Sequence, residues 1–409
     1  MPGWYEFYRT PCVICGHVGG CMIYKDGDRV ACIRIESDTY FSKNSALPSF
    51  LHWLKPRERR KIDVQEVEEY QDSKKLDAAT LDRVYRTLLD FLDLSDYHYE
   101  HLTSPKRKLT DRQILIRQYV SFPEKPWDCV RRIAQSLGMD DFEGVPGFYY
   151  RDNRYWTIAG TDGILIPYRN QYNQIVGFQY RIDRPFNVVE VKENKRGLRA
   201  EIQQPNFVRV TYNGKVVMEE EVPLSKTWKN VFKEGELLGW IRVAKGNRYF
   251  WLSSANKPKG TGSGNPAPLH VSVPTETLAN WEVGTLHKAR TVWLTEGALK
   301  ADIAVDWIEK LYDPVELEDI GTTMIALPGV GSWRLALPVM KEMGVHTVNL
   351  CFDADSMSNI HVKKHLFECA KVLKQEGYSA NLVLWNEDEG KGIDDLFLQN
   401  KLPQIKRLF

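Results

Sequence analysis

Three short acidic motifs hold most of the chemistry this sequence offers. They are Leu294-Thr295-Glu296-Gly297-Ala298, Phe352-Asp353-Ala354-Asp355 and Lys391-Gly392-Ile393-Asp394-Asp395. In the first two, the carboxylates stand where an apolar, strand-like run ends. In a parallel α/β sheet that carboxyl edge is where ligands bind. Gly297 suits a tight turn from strand to helix. Asp353 and Asp355 are two apart, so an extended backbone would point them the same way. Gathered carboxylates repel one another unless a cation joins them, and Mg²⁺ prefers hard oxygen ligands shared with phosphate. A pair of such metals can hold the attacking and leaving oxygens of a phosphoryl transfer. Taken singly, an Asp-x-Asp is usually a turn or a cap, and a Glu-Gly means nothing. Order, spacing and strand-end placement together predict a Mg²⁺ or Mn²⁺ site.

A second constellation lies at the start of the chain. Cys12, Cys15, Cys21 and Cys32 are spaced C-x2-C-x5-C-x10-C among the turn residues Gly16, Gly19, Gly20 and Asp26-Gly27. Four thiolates would close a tetrahedral Zn²⁺ site, with His17 as an alternative fourth ligand. The other reading, four free thiols, leaves a segment of about 50 residues with too few large apolar side chains to hold itself together. A zinc ribbon is expected. Cys129, Cys351 and Cys369 are scattered, and Cys351 sits in an apolar run that suits a core role.

Basic residues form a third group. Arg169 ends the run 163–169, Arg181 lies in 174–183 and Arg184 is close by. Guanidinium groups there could hold phosphate, or could simply be solvated hairpin arginines. Lys257 and Lys259 precede the Gly-rich stretch 260–268, whose backbone amides could cradle phosphates. It is not a Walker A loop, because no G-x-x-x-x-G-K-[ST] occurs in the chain, so a fused ATP-driven helicase is not expected. Trp228, Trp240, Tyr249, Phe250 and Trp251 could stack bases, but core packing explains them more cheaply.

The elements that must position these residues divide the chain into five parts. Residues 1–55 are turn-rich, and 56–75 read as a charged linker. Residues 76–146 are helical: Leu81, Val84, Leu88, Leu89 and Leu92 recur at helical spacing, and Thr110-Asp111 opens a further helix. Residues 147–287 turn to β texture, with 163–169 and 174–183 forming a hairpin about Asn170-Gln171-Tyr172-Asn173. Residues 288–409 alternate strand and helix, the pattern of a parallel α/β sheet.

Composition bounds the reading without deciding it. The 409 residues are 43% hydrophobic and 27% charged, with a net charge of +1, as in ordinary soluble domains. No run of 18 apolar residues occurs, and the start, MPGWYEFYRTPC, is not a signal peptide, so no membrane role and a cytoplasmic location are expected.

Strand-Glu-Gly, then strand-Asp-x-Asp, then a late Gly-x-Asp-Asp resembles the TOPRIM domain of DnaG-type primases, topoisomerases and some nucleases. A cysteine ribbon ahead of it resembles the order in DnaG-type primases, and most closely the primase-like proteins of plasmids and mobile elements. The resemblance implies a multidomain α/β chain: ribbon, helical segment, α+β primase-like core over 147–287 with an insertion near 187–248, and TOPRIM over 288–409. It implies a DNA primase, a nucleotidyltransferase that makes short primers on single-stranded DNA from nucleotide triphosphates. Glu296, Asp353 and Asp355 would hold Mg²⁺ or Mn²⁺, with Asp394 or Asp395 in the third acidic position. Glu296 would be a ligand or a general base. Arg169 and Arg181 would face the active cleft, and Lys257 and Lys259 would help hold charge. Zn²⁺ in the ribbon and a separate replicative helicase would complete the set. About 14 residues follow Asp395, so the helicase-binding domain of that family is not expected. The rival readings are a TOPRIM nuclease, which shares the acidic cluster, and a non-catalytic adaptor that binds single-stranded DNA.

Overall fold

The computed structural model describes residues 3–37, 39–42, 49–54, 74–264, 266–354 and 360–409. Asp355 and nearly all of the charged linker lie outside the described residues. The rest divides into two compact units. One holds the described residues up to Leu54 together with Arg181–Phe250 and Ala255–Gly260; the other holds Lys74–Tyr180, Trp251–Ser254 and Thr261–Phe409.

In the first unit, the N-terminal module is a five-stranded antiparallel sheet in the order Trp4–Glu6, Met22–Tyr24, Arg29–Cys32, Ser49–Trp53, Tyr40–Ser42. Its core is small: Phe7, Ile23 and Val30 pack with Cys12, Cys21 and Cys32. The remainder, within the β-textured insertion expected near 187–248, forms two three-stranded antiparallel sheets. One is Asn187–Glu193, Glu236–Lys245, Lys229–Lys233; the other is Leu198–Gln203, Phe207–Tyr212, Lys215–Glu221. Asn213-Gly214 and Glu234-Gly235 make two of the turns, each with φ positive at both residues, as tight hairpins require. Their cores merge around Val189, Leu198, Val208, Val210, Leu238 and Ile241.

In the second unit, Asp77 caps the helix Ala78–Leu89 and Thr110 caps Asp111–Arg117 in a capping box with Gln113. Leu81, Val84, Leu88 and Leu89 form the buried face the spacing predicts, while Leu92 lies beyond the helix end. Gly163–Arg169 and Ile175–Ile182 are hydrogen-bonded neighbours about the 170–174 turn. The C-terminal segment builds a six-stranded sheet in the order His270–Ser272, Thr323–Leu327, Thr291–Glu296, Thr347–Leu350, Ser379–Leu384, Gln404–Arg407. The four inner strands are parallel, and both edges are antiparallel. The edge strands are three and four residues long, too short for a period to show in the sequence. Helices cover both faces. Val292, Leu294 and Leu350 pack with Trp333, Met340 and Leu373 on one, and Trp293, Met324 and Val383 with Ala301, Ile308 and Phe397 on the other. No helix among the described residues is long and apolar enough to cross a membrane.

Candidate acidic site and cysteine cluster

The sheet topology creates the acidic site. Chain leaving Thr291–Glu296 goes towards the Thr323–Leu327 side, whereas chain leaving Thr347–Leu350 goes towards Ser379–Leu384. These two strands are adjacent and parallel, so a crevice opens between their carboxyl ends, the topological switch point of an α/β sheet. Glu296 closes the first strand, and Asp353 follows the second by three residues. Gly297 turns the chain into the helix Ala298–Leu311 with φ 83° and ψ 123°, a conformation that side chains disfavour.

One turn into that helix lies Lys300, a residue that the acidic motifs alone do not announce. Its ammonium forms an ion pair with Asp353. Burial pushes the Lys300 pKa down, but Asp353, Asp394 and Glu296 outweigh it and raise the net value. Lys391 Nζ stands 3.8 Å from the other Asp353 oxygen, and the Ala354 amide donates to the Lys391 carbonyl at 2.9 Å. Lys300 thus pairs with Asp353, and the charges of Asp394 and Glu296 reach it as well.

The third motif divides cleanly. Asp395 accepts from the Gly392 amide at 3.2 Å and caps its own short helix, Ile393–Phe397. Asp394 is buried and pairs with Arg107 NH1 at 3.0 Å. Burial pushes the Asp394 pKa up to about 6 against the pull of Lys300 and Arg107, with Asp395 adding to the rise. Lys300 had a signal in the sequence: it is four residues after Glu296, on the helix that Gly297 opens. Arg107 had none, since 287 residues separate it from Asp394.

A second polar cluster sits behind the same helix. Asp302 accepts from Arg117 NH1 (2.7 Å), His270 Nε2 (3.0 Å), Ser272 Oγ (2.5 Å) and the Tyr119 hydroxyl (2.5 Å). Asp306 accepts from the Thr275 amide (2.6 Å) and hydroxyl (2.7 Å), Gln113 Nε2 (2.7 Å) and Arg117 NH2 (2.9 Å). His270 Nδ1 accepts the Arg169 amide at 3.0 Å, which leaves Nε2 to donate to Asp302.

Arg169 borders this cluster, with its NH1 left without a hydrogen-bond partner. The resemblance implies a cleft-facing side chain, but Arg169 is 3% exposed, and its NH2 donates to the Arg117 carbonyl (3.2 Å) and Gln118 Oε1 (3.0 Å). Every residue of its strand is buried, so an arginine at the strand end is drawn inward to satisfy a buried carbonyl. Arg181, at 6% exposed, is also buried. Lys257 and Lys259 belong to the other unit, where the Gly260 amide donates to the Lys257 carbonyl at 2.8 Å and Lys259 takes φ 50° in a turn.

In the N-terminal module the sulfur atoms of Cys12, Cys15, Cys21 and Cys32 all lie within 4.8 Å of one another. Cys21 Sγ is 3.7 Å from both Cys15 Sγ and Cys32 Sγ. A tetrahedral zinc with bonds of ~2.3 Å needs sulfur edges of about 3.8 Å, so the cluster fits that ion. The surroundings suit a negative thiolate group: the Arg34 and Ile35 amides donate to Cys32 Sγ at 3.4 and 3.2 Å, and Arg34 NH1 lies 3.4 Å from Cys21 Sγ. His17 stands apart, its Nδ1 engaged with the Cys15 carbonyl at 2.8 Å.

Comparison with known proteins gives the following. A family model described as a domain of unknown function, DUF3854, matches residues 280–403. No curated protein matches. The fold aligns with the zinc-binding and RNA polymerase domains of the Aquifex aeolicus primase at 9% identity and a TM-score of 0.41, over 99% of this chain and 80% of that one. It aligns with the RNA polymerase domain of the Mycobacterium tuberculosis primase DnaG at 11% identity and a TM-score of 0.44, over 80% and 84%. A DnaG primase catalytic domain bound to single-stranded DNA aligns at 11% identity and a TM-score of 0.39, over 80% of each chain.

Proposed function

We propose that this chain is a metal-dependent DNA primase, and that Glu296, Asp353 and Asp394 form the cation-binding side of its active site. The observation that carries the reading is the placement of Glu296 and Asp353 at the ends of adjacent parallel strands, at the switch point of the sheet, with Lys300 paired to Asp353 between them. Carboxylates at that edge fit a hard divalent cation, Mg²⁺ or Mn²⁺, with phosphate as the shared ligand. When bound, the cation would neutralise charge on the transferring phosphoryl group and its leaving group. Asp355, two residues after Asp353, would add a further carboxylate.

The chain's own groups do the rest. Lys300 holds Asp353 in place and compensates the cluster's charge. Lys391, exposed beside Asp353, is set to meet a triphosphate. Arg107 fixes the Asp394 carboxylate and thereby its helix. The cysteine cluster, with Zn²⁺ bound, would hold the N-terminal ribbon as a template-binding module. Arg169 and Arg181 support the fold from within rather than touching nucleotide.

The test is direct. The full chain is incubated with single-stranded DNA, Mg²⁺ or Mn²⁺ and labelled nucleotide triphosphates. Template-dependent short products support the reading. Cleavage of labelled DNA without nucleotides would replace it with a nuclease built on the same carboxylates. Binding without either reaction would leave an adaptor.

A further inference from the structure

The segment 187–245 carries a surface with a chemistry of its own. In its sheet Asn187–Glu193, Glu236–Lys245, Lys229–Lys233, alternate residues Val189, Val231, Ile241 and Val243 face the core. The register sets Lys192 opposite Trp240, Trp240 opposite Asn230 and Glu190 opposite Arg242. These positions alternate with the buried ones, so they share the outer face. Trp228 and Phe232, two residues to either side of Asn230, extend it. They are 38% and 52% exposed.

Cations stand among these rings. Lys192 Nζ lies 5.3 Å from the Trp240 ring centre, and the Arg242 guanidinium 4.7 Å from that of Trp228. Glu190 holds Arg242 there at 2.6 Å. The segment has eleven Lys and Arg against eight Glu and no Asp, a surplus of +3 in a chain of net charge +1. Large aromatic rings on an outward sheet face gain nothing from the core, and a positive surround does not favour a second apolar protein surface. Both suit a polyanion that carries flat, apolar rings.

We propose that this face binds single-stranded nucleic acid. Unpaired bases stack on Trp228, Trp240 and Phe232, while Lys192, Arg242 and neighbouring lysines neutralise phosphates. A duplex hides its base faces and cannot use the rings. The site is independent of the acidic cluster and of the reaction assigned to it.

The experiment uses the full chain, a fluorescein-labelled thymidine 20-mer, no divalent cation and no nucleotide triphosphates, with anisotropy as the readout. Trp228→Ala and Phe232→Ala are expected to weaken binding by ~5- to 100-fold each, with Trp228→Phe retaining most of it. Lys192→Ala is expected to lower the salt slope by about 0.7, and the tryptophan variants to leave that slope unchanged. Binding of the matching duplex should be insensitive to all the ring variants. A uridine 20-mer run alongside identifies whether DNA or RNA is preferred; loss with Trp228→Ala on either strand supports the site. Affinities of Trp228→Ala and Phe232→Ala within twofold of the parent, in proteins with unchanged melting temperature, overturn it. Asp353→Ala should bind the 20-mer as the parent does, so failure of the acidic-site reading and failure of this one give different results.

Discussion

Two polar clusters flank the helix Ala298–Leu311, and they are built on opposite principles. Lys300 and Asp302 are two residues apart, so they leave the helix about 200° from each other. Behind the helix, Asp302 and Asp306 each accept four hydrogen bonds, filling the capacity of a carboxylate. Burial works against the Asp302 charge, but Arg117, His270 and Ser272 outweigh it and hold its pKa well below the usual carboxylate range. In front of the helix, Asp394 is as deeply buried but less well compensated, and its pKa rises to about 6. Carboxylates so filled have no acceptor site left for a ligand and serve structure. In front of the helix the carboxylates face mobile ammonium groups, Lys300 and Lys391, and a cation would take the place of such a partner.

The sharpest way to break this contrast is to unpair the saturated side. Arg117→Ala strands two buried carboxylates and is expected to cost ~3–5 kcal/mol, read from urea unfolding. Asp353→Ala should do the reverse. If the proposed reading holds, it is expected to lower nucleotide incorporation by at least ~100-fold without lowering the melting temperature, and to abolish the rise in melting temperature expected of the parent with Mg²⁺.

The two sides should also answer pH with opposite signs. The folded chain keeps the Asp394 proton up to about pH 6, whereas the unfolded chain releases it near the ordinary aspartate value of 3.8. The stability this group provides is therefore full below about pH 4 and is lost as pH rises through 6, by on the order of 2–3 kcal/mol. Asp394→Asn should flatten that decline in melting temperature. Asp302, depressed in the folded state, contributes above about pH 4 and fails as pH falls, so Asp302→Asn should remove part of the acid-induced loss. Lys300→Met leaves the front carboxylates without their ammonium. A loss of ~1–2 kcal/mol is expected in chelator, recovered on adding Mg²⁺, and thermal melts in both conditions check it.

Parts of this arrangement are legible in the sequence because they follow from local rules. Apolar runs mark the four inner strands. Glu296 and Asp353 fall where those runs stop, and Gly297 marks a backbone only glycine tolerates well. The choice between Asp394 and Asp395 is not legible, because it depends on which of two neighbouring carboxylates caps the helix. Arg169 misleads for a related reason: a strand buried at every position has no alternation to show which way its last side chain turns. Trp228 and Trp240 mislead in the other sense. Aromatic residues in β-rich segments usually signal core, and only the cross-strand register of Trp240 and the exposure of Trp228 show that these two face outward.

The pair Arg107–Asp394 joins residues 287 positions apart, and Lys300 meets Asp353 across 53. Contacts of such long range close late, after local helices and hairpins have formed. During synthesis and refolding, the acidic cluster is therefore among the last features to assemble. A chain whose sheet is still incomplete presents these carboxylates scattered, so the proposed cation site would arrive only together with the finished fold.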